Sequence, residues 1–253
     1  MTGVFDFHAR LVPGGAGRLL ATMDRAGIDR AAVSAGGLIG LDELSVQITY
    51  GGRAEASADN AGLAEECDRS AGRLLPFYFA DPRRDVDAYR KEAERFRGLE
   101  ISPAVHGFRL DEPAVAELVL IAAAARHPVY VVTTGRPGCR PADLARLALE
   151  FPQATLVWGH CGHTGLEIAG LAELAPLPNV VAELSGCLTV TARTAVERFG
   201  AGRVLFGTEF PLQHPAVELA KCAALGLEPA ARDRLMWTNA CRLLGEDTTW
   251  NRM

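Results

Sequence analysis

The sequence predicts a single (β/α)8 TIM barrel of the α/β class, and three observations carry that prediction. Short, wholly apolar runs alternate with longer segments of helical periodicity along the chain, which is how parallel strands covered on both faces by helices read. The 253 residues match the roughly 250 that one such barrel needs, so residues 1–253 are read as one domain. Polar side chains end nearly every apolar run, as they do where strands finish at a barrel mouth. A doubly wound open sheet is the alternative.

The eight strand candidates are Val4 to Phe7, Ala31 to Ser34, Leu74 to Phe79, Gly107 to Leu110, Val129 to Val132, Thr155 to Trp158, Val180 to Leu184 and Val204 to Gly207. Val129-Tyr-Val-Val132 is apolar throughout rather than alternating, the pattern of a strand buried on both faces. Helical periodicity fills Ala16 to Ala26, Ala58 to Ser70, Asp85 to Phe96, Pro113 to Ala125, Pro141 to Glu150, Gly165 to Ala175 and Thr191 to Phe199. Pro113 and Pro141 suit the first helical turn, while Gly27, Gly98 and Gly200 follow helices where a left-handed residue is wanted. Gly36 to Ser57, rich in glycine and polar residues, reads as an irregular loop over the site.

Composition excludes several functions. No apolar stretch approaches the ~20 residues that span a bilayer, and no basic flank with an apolar core opens the chain. The expectation is a cytoplasmic protein without a membrane partner, its six cysteines reduced. A net charge of -5 with scattered arginines leaves no basic stripe for nucleic acid.

Taken strand by strand, the polar ends are His8 and Arg10; Ser34; Tyr78 and Asp81; Arg109; Thr133 and Thr134; His160 with Cys161 and His163; Glu183 and Ser185; and Thr208 and Glu209. If the first and last strands are neighbours, the ends of Phe5-Asp-Phe-His-Ala-Arg-Leu11 and Leu205-Phe-Gly-Thr-Glu-Phe-Pro211 converge. Cys139, Cys161 and Cys187 fall near this end and form either a thiolate or soft-metal site or, as the more usual alternative, buried packing groups. Asn239 reads as a structural hydrogen-bonding residue.

The stretches FDFHARL, MDRAGIDRAAVS, GRLLPFYFADP, HGFRL, HPVYVVTTG, LVWGHCGH, RVLFGTEFP and DRLMWTNACRLLG run in order from residue 5 to residue 245. With them the chain resembles the amidohydrolase-related (amidohydrolase-2) family of metal-dependent hydrolases, hydratases and decarboxylases on TIM barrels. The resemblance implies a metal held by His-x-His on strand one, histidines ending strands five and six, and an Asp ending strand eight. His8 and His160 match that pattern. Arg10 stands at the second histidine, Val132 or Thr133 at the strand-five histidine, and Glu209 at the Asp.

A catalytic zinc needs about three protein ligands and an open position, and Arg10 offers no lone pair. At ~4 Å and an effective dielectric of ~20, a dication and a guanidinium repel by roughly 8 kcal/mol. The expectation is therefore an enzyme without a tightly bound metal, acting on a small anionic substrate by hydrolysis or decarboxylation. His160 would do acid/base work with His8 and Glu209. Arg10, Arg109, Thr133, Glu183 and Ser185 would bind substrate, Arg10 also forming a fork to Glu209 or to the substrate. Two alternatives stand beside it: a mononuclear zinc or other divalent-metal hydrolase using His8, His160 and Glu209, and a barrel without catalysis that binds a partner. The resemblance also implies a homodimer.

Overall fold

The computed structural model describes residues 3–54 and 57–249. Its strands are β1 (Phe5–Arg10), β2 (Arg30–Ser34), β3 (Leu74–Ala80), β4 (Gly98–Ile101), β5 (Val129–Val131), β6 (Leu156–Trp158), β7 (Val180–Glu183) and β8 (Val204–Leu205). They form one sheet in the order β1 to β8, each pairing in parallel with the next. The segment after β8 closes the ring onto β1. Phe7 N donates to Phe206 O at 2.8 Å, Glu209 N to His8 O at 2.8 Å, and Arg10 N to Phe210 O at 2.8 Å.

The helices are α1 (Ala16–Ala26), α2 (Leu41–Tyr50), α3 (Asn60–Asp68), α4 (Val86–Glu92), α5 (Pro103–His106), α6 (Pro113–Ala124), α7 (Pro141–Glu150), α8 (Ile168–Leu174), α9 (Thr189–Phe199), α10 (Pro215–Ala223), α11 (Pro229–Asp233) and α12 (Asn239–Leu244); most cover the outside of the ring, while α2 and α5 lie at its mouth. Strand periodicity splits the core in two. Phe5, Ala32, Leu75, Phe77, Tyr130, Val157, Val181 and Leu205 fill the barrel interior, while Val33, Leu99, Val131, Leu156, Val180 and Val204 meet the helices.

Three expectations change. The fourth strand is Gly98–Ile101, and Gly107 instead caps α5 in the left-handed region at φ 62°. Gly98 therefore lies inside a strand, where a Cβ would come within 2.4 Å of the Phe77 ring. Gly36 to Ser57 is not an irregular loop throughout, because α2 occupies its middle; Glu55 and Ala56 lie outside the described residues. No helix among the described residues is long and apolar enough to cross a membrane.

Candidate active site

The polar ends of β1, β4, β6, β7 and β8 meet at one end of the barrel. An irregularity in the β1–β2 register falls between Asp6 and Ala9, and such bulges re-aim side chains. Across it Phe7 packs in the interior while Ala9 joins the helix-side core, leaving His8 and Arg10 to enter the mouth. Asp6 clamps this turn of chain, accepting from Thr208 N at 2.8 Å, Thr208 Oγ1 at 2.5 Å and His8 N at 3.1 Å. Burial pushes its carboxyl up to about 7, against the pull of those bonds.

The other two central residues leave their strands in strained conformations. His160 and Cys161 follow β6 at φ 60° and 46°, and Glu209 follows β8 at φ 55°. A non-glycine residue held there costs about 1–3 kcal/mol and persists only where surrounding contacts over-determine it. The contacts here are specific. His160 Nδ1 lies 2.6 Å from Glu209 Oε2 and 2.8 Å from Ser185 Oγ. His8 Nδ1 faces the same Glu209 oxygen at 3.4 Å, and its Nε2 faces Glu100 Oε2 at 3.4 Å. Tyr130 stacks on the His8 ring at 4.1 Å and 6°.

Ligand atoms of His8, His160 and Glu209 all lie within 4.8 Å of one another. Neither ring nitrogen of His8 makes a hydrogen bond of normal length; each faces a carboxylate at 3.4 Å in a looser ion pair. Burial disfavours the His8 imidazolium, but Glu209 and Glu100 overcome it and raise its pKa to about 10. Burial lowers His160 in spite of Glu209. Glu209 itself is held below the usual carboxylate range: burial pushes it up, and His160, His8 and Arg10 outweigh that.

Glu100, Tyr130 and Glu183 complete the floor. Glu183 accepts from Tyr130 Oη at 2.7 Å, Ser185 N at 2.6 Å, Ser185 Oγ at 2.8 Å and His160 N at 3.1 Å. It organises the end of β7, and Ser185 passes that order on to His160. Arg10 does not fork onto Glu209, whose nearest oxygen is 3.8 Å from Nε. Its guanidinium instead donates to Glu100 Oε1 at 2.8 Å and Gly36 O at 2.7 Å. Glu100, absent from the residues expected at the site, had one sequence signal: a charge inside an otherwise apolar run, Gly98-Leu-Glu-Ile101.

Arg109 and Thr133 lie apart from this cluster. Arg109 precedes α6 on a half-exposed loop and pairs with Asp111 at 2.6 Å. Thr133 Oγ1 accepts from the Trp158 indole at 2.8 Å, and Val132 lines the mouth in its stead. All six cysteines are free and buried. Cys161 sits against Cys187 with its thiol pushed well up by burial, whereas Cys139 Sγ donates to Phe108 O at 3.1 Å.

Above the floor is a cavity of about 210 Å3 whose wall includes Leu44 and Ile48 of α2, Val105 of α5, Val132, Leu212 and His163. His163 Nδ1 stands 3.1 Å from Glu167 Oε1. The mouth thus pairs a charged floor with an apolar wall, the arrangement of a small-molecule site.

Solved structures similar to this one share the whole barrel. A 2,6-dihydroxybenzoate decarboxylase from Rhizobium is 19% identical at a TM-score of 0.68, with 97% of this chain and 99% of that one covered. A 5-carboxyvanillate decarboxylase from Novosphingobium aromaticivorans, complexed with manganese and 4-hydroxy-3-methoxy-5-nitrobenzoic acid, is 19% identical at 0.67, covering 90% of this chain and 79% of that one. A dihydroxybenzoic acid decarboxylase from Polaromonas, with bound manganese and the inhibitor 2-nitroresorcinol, is 17% identical at 0.67 and covers 97% of both chains. No curated protein sequence was found to match.

These findings overturn the expectation of a site without a tightly bound metal. Similar solved structures hold manganese, and this chain brings His8, His160 and Glu209 together as a group that could hold a metal ion. The electrostatic objection fails because it omitted Glu100. Glu100 pairs with Arg10 at 2.8 Å and faces His8 at 3.4 Å, so a countercharge stands beside the guanidinium and offsets its repulsion of a cation; it is ionised, burial being outweighed by Arg10 and His8 to give a pKa of about 2. A sequence model of the amidohydrolase family matches residues 5–245, taking in all eight strands and the terminal helix, and the chain belongs to that family.

Proposed function

We propose that this protein is a divalent-cation-dependent lyase that decarboxylates a small aromatic acid. The observation that carries the reading is the convergence of His8, His160 and Glu209 within 4.8 Å at the barrel mouth, where no short hydrogen bond ties up either His8 nitrogen. Three nitrogen and oxygen ligands leave positions open for substrate. The charge balance supports a cation: Glu100 and Glu209 both face His8 and hold a proton on it, the positive charge that a bound cation would displace. When bound there, a divalent ion would act as a Lewis acid and anchor the substrate's anionic oxygens.

The chain's own residues supply the rest. Leu44, Ile48, Val105, Val132 and Leu212 would hold an aromatic ring and exclude water. The volume of about 210 Å3 suits one substituted ring, since apolar cavities of roughly 150 Å3 accept benzene. Decarboxylation breaks the bond between ring carbon and carboxyl carbon, releases CO2 and leaves an electron pair that takes up one proton. His160 is committed to Glu209 and Ser185, so His163, paired with Glu167, is the cavity imidazole available to carry that proton.

The test is CO2 release from a panel of hydroxybenzoates by manganese-loaded protein, before and after chelation. Turnover should vanish with the metal and return with it. His163→Ala should lower kcat about 100-fold while leaving the metal in place, whereas His160→Ala should lose the metal itself. Hydrolysis of lactones or amides without any CO2 release would replace this reading with a hydrolase.

A further inference from the structure

Glu100 is the least expected residue in the mouth. It is fully buried on β4, and each of its oxygens faces a different partner on β1. Oε1 accepts from Arg10 Nη2 at 2.8 Å, and Oε2 faces His8 Nε2 at 3.4 Å. Arg10 is further held by Gly36 O at 2.7 Å and lies over the Phe79 ring at 5.8 Å. Its charge is thereby drawn to the β2–β3 side of the mouth, with only Nε left towards Glu209. The His8 ring is pinned between two carboxylates, Glu100 at Nε2 and Glu209 at Nδ1, with Tyr130 against its face.

We propose that Glu100 is a positioning residue that makes the barrel mouth cation-competent despite Arg10, by neutralising the guanidinium and orienting His8 with Nδ1 towards Glu209 and His160. The inference rests on the proposed cation site and adds a residue outside its ligand set. A carboxylate behind a ligating imidazole fixes which nitrogen carries the proton and which keeps the lone pair, and its loss typically costs 10–100-fold in metal affinity. Here one carboxylate does this and cancels a like charge as well. An arginine at this position of β1 is tolerable for a metal site only with an acid at this position of β4.

The experiment is manganese titration of chelator-treated protein, reading bound against free ion by electron paramagnetic resonance and the melting temperature in parallel. Wild type is compared with Glu100→Gln, Arg10→Met and the double variant. Glu100→Gln keeps an acceptor for His8 but unmasks Arg10, and should weaken manganese binding 10–100-fold. Arg10→Met should bind at least as tightly as wild type. The double variant, which contains no orphaned charge and so guards against misfolding of the single one, should recover to within a few-fold of wild type.

Recovery in the double variant separates charge compensation from a merely structural role. If Glu100→Gln binds manganese as wild type does, or if adding Arg10→Met recovers nothing, the inference is wrong while the cation site stands. If wild type binds no manganese, the cation site itself falls, and the inference with it.

Discussion

The two ends of the barrel treat buried polar groups in opposite ways. At the end where strands begin, Asn239 Nδ2 donates to Ala201 O and Val204 O, both at 2.8 Å, and fixes the entry to β8. Arg203 reaches Ala175 O at 2.7 Å, Leu177 O at 2.7 Å and Val180 O at 3.0 Å. Asn179 Nδ2 serves the carbonyls of Ala148, Phe151 and Ala154. At the end where strands finish, both His8 nitrogens, Arg10 Nε and Glu100 Oε2 make no hydrogen bond of normal length, and His160, Cys161 and Glu209 sit in the left-handed region. At the first end these three side chains tie backbone carbonyls together and stabilise the fold. The other end holds its polar groups open and strained, a state that makes sense where a ligand completes the set.

The comparison breaks most visibly through Glu209. Glu209→Ala removes the carboxylate shared by both histidines, and manganese affinity should fall at least 100-fold. The stabilisation that wild type gains, about 2.7 kcal/mol at a manganese concentration of 100 Kd, should disappear from the thermal melts. If Glu209→Ala keeps that gain, the mouth is not the cation site.

Asn239→Ala should do the reverse. It leaves two carbonyls of a buried turn unsatisfied and should lower stability by about 2–3 kcal/mol in chemical denaturation, yet the manganese-induced increment should be unchanged. A loss of metal affinity in this variant would show that the two ends are coupled.

A smaller effect sharpens the picture through pH. His127 opens the approach to β5 and its Nδ1 meets Tyr89 Oη at 2.8 Å. Burial, helped by Arg97, lowers its pKa from 6.5 to about 4. The unfolded chain therefore takes up a proton that the folded one refuses as pH drops from 6.5 to 4, so stability falls across that window and levels below it. His127→Gln should remove most of that fall. An unchanged pH dependence would mean that His127 is protonated in the fold.

Much of the barrel was legible because strands buried on both faces leave uninterrupted apolar runs, as in Val129–Val131. Strand β4 was not, because Glu100 interrupts it and the neighbouring Gly107-Phe-Arg-Leu110 reads as the better strand. Helix α2 was hidden by the glycines around it; its Leu44 and Ile48 form wall rather than core. Histidines 8 and 160 and Glu209 could be singled out as strand ends, but Arg109 and Thr133 share that local signature and lie outside the cluster, against Asp111 and Trp158.

The order and type of most elements, and the polar groups gathered at one end, follow from the sequence, because hydrophobic periodicity and capping are local and act wherever the chain goes. The direction of the Arg10 side chain does not. It is decided by Glu100, ninety positions away in the chain, and by a carbonyl of the loop after β2. Whether a fixed positive charge forbids or permits a cation depends on which countercharge lies within a few ångströms, and that distance exists only once β1 and β4 share a barrel.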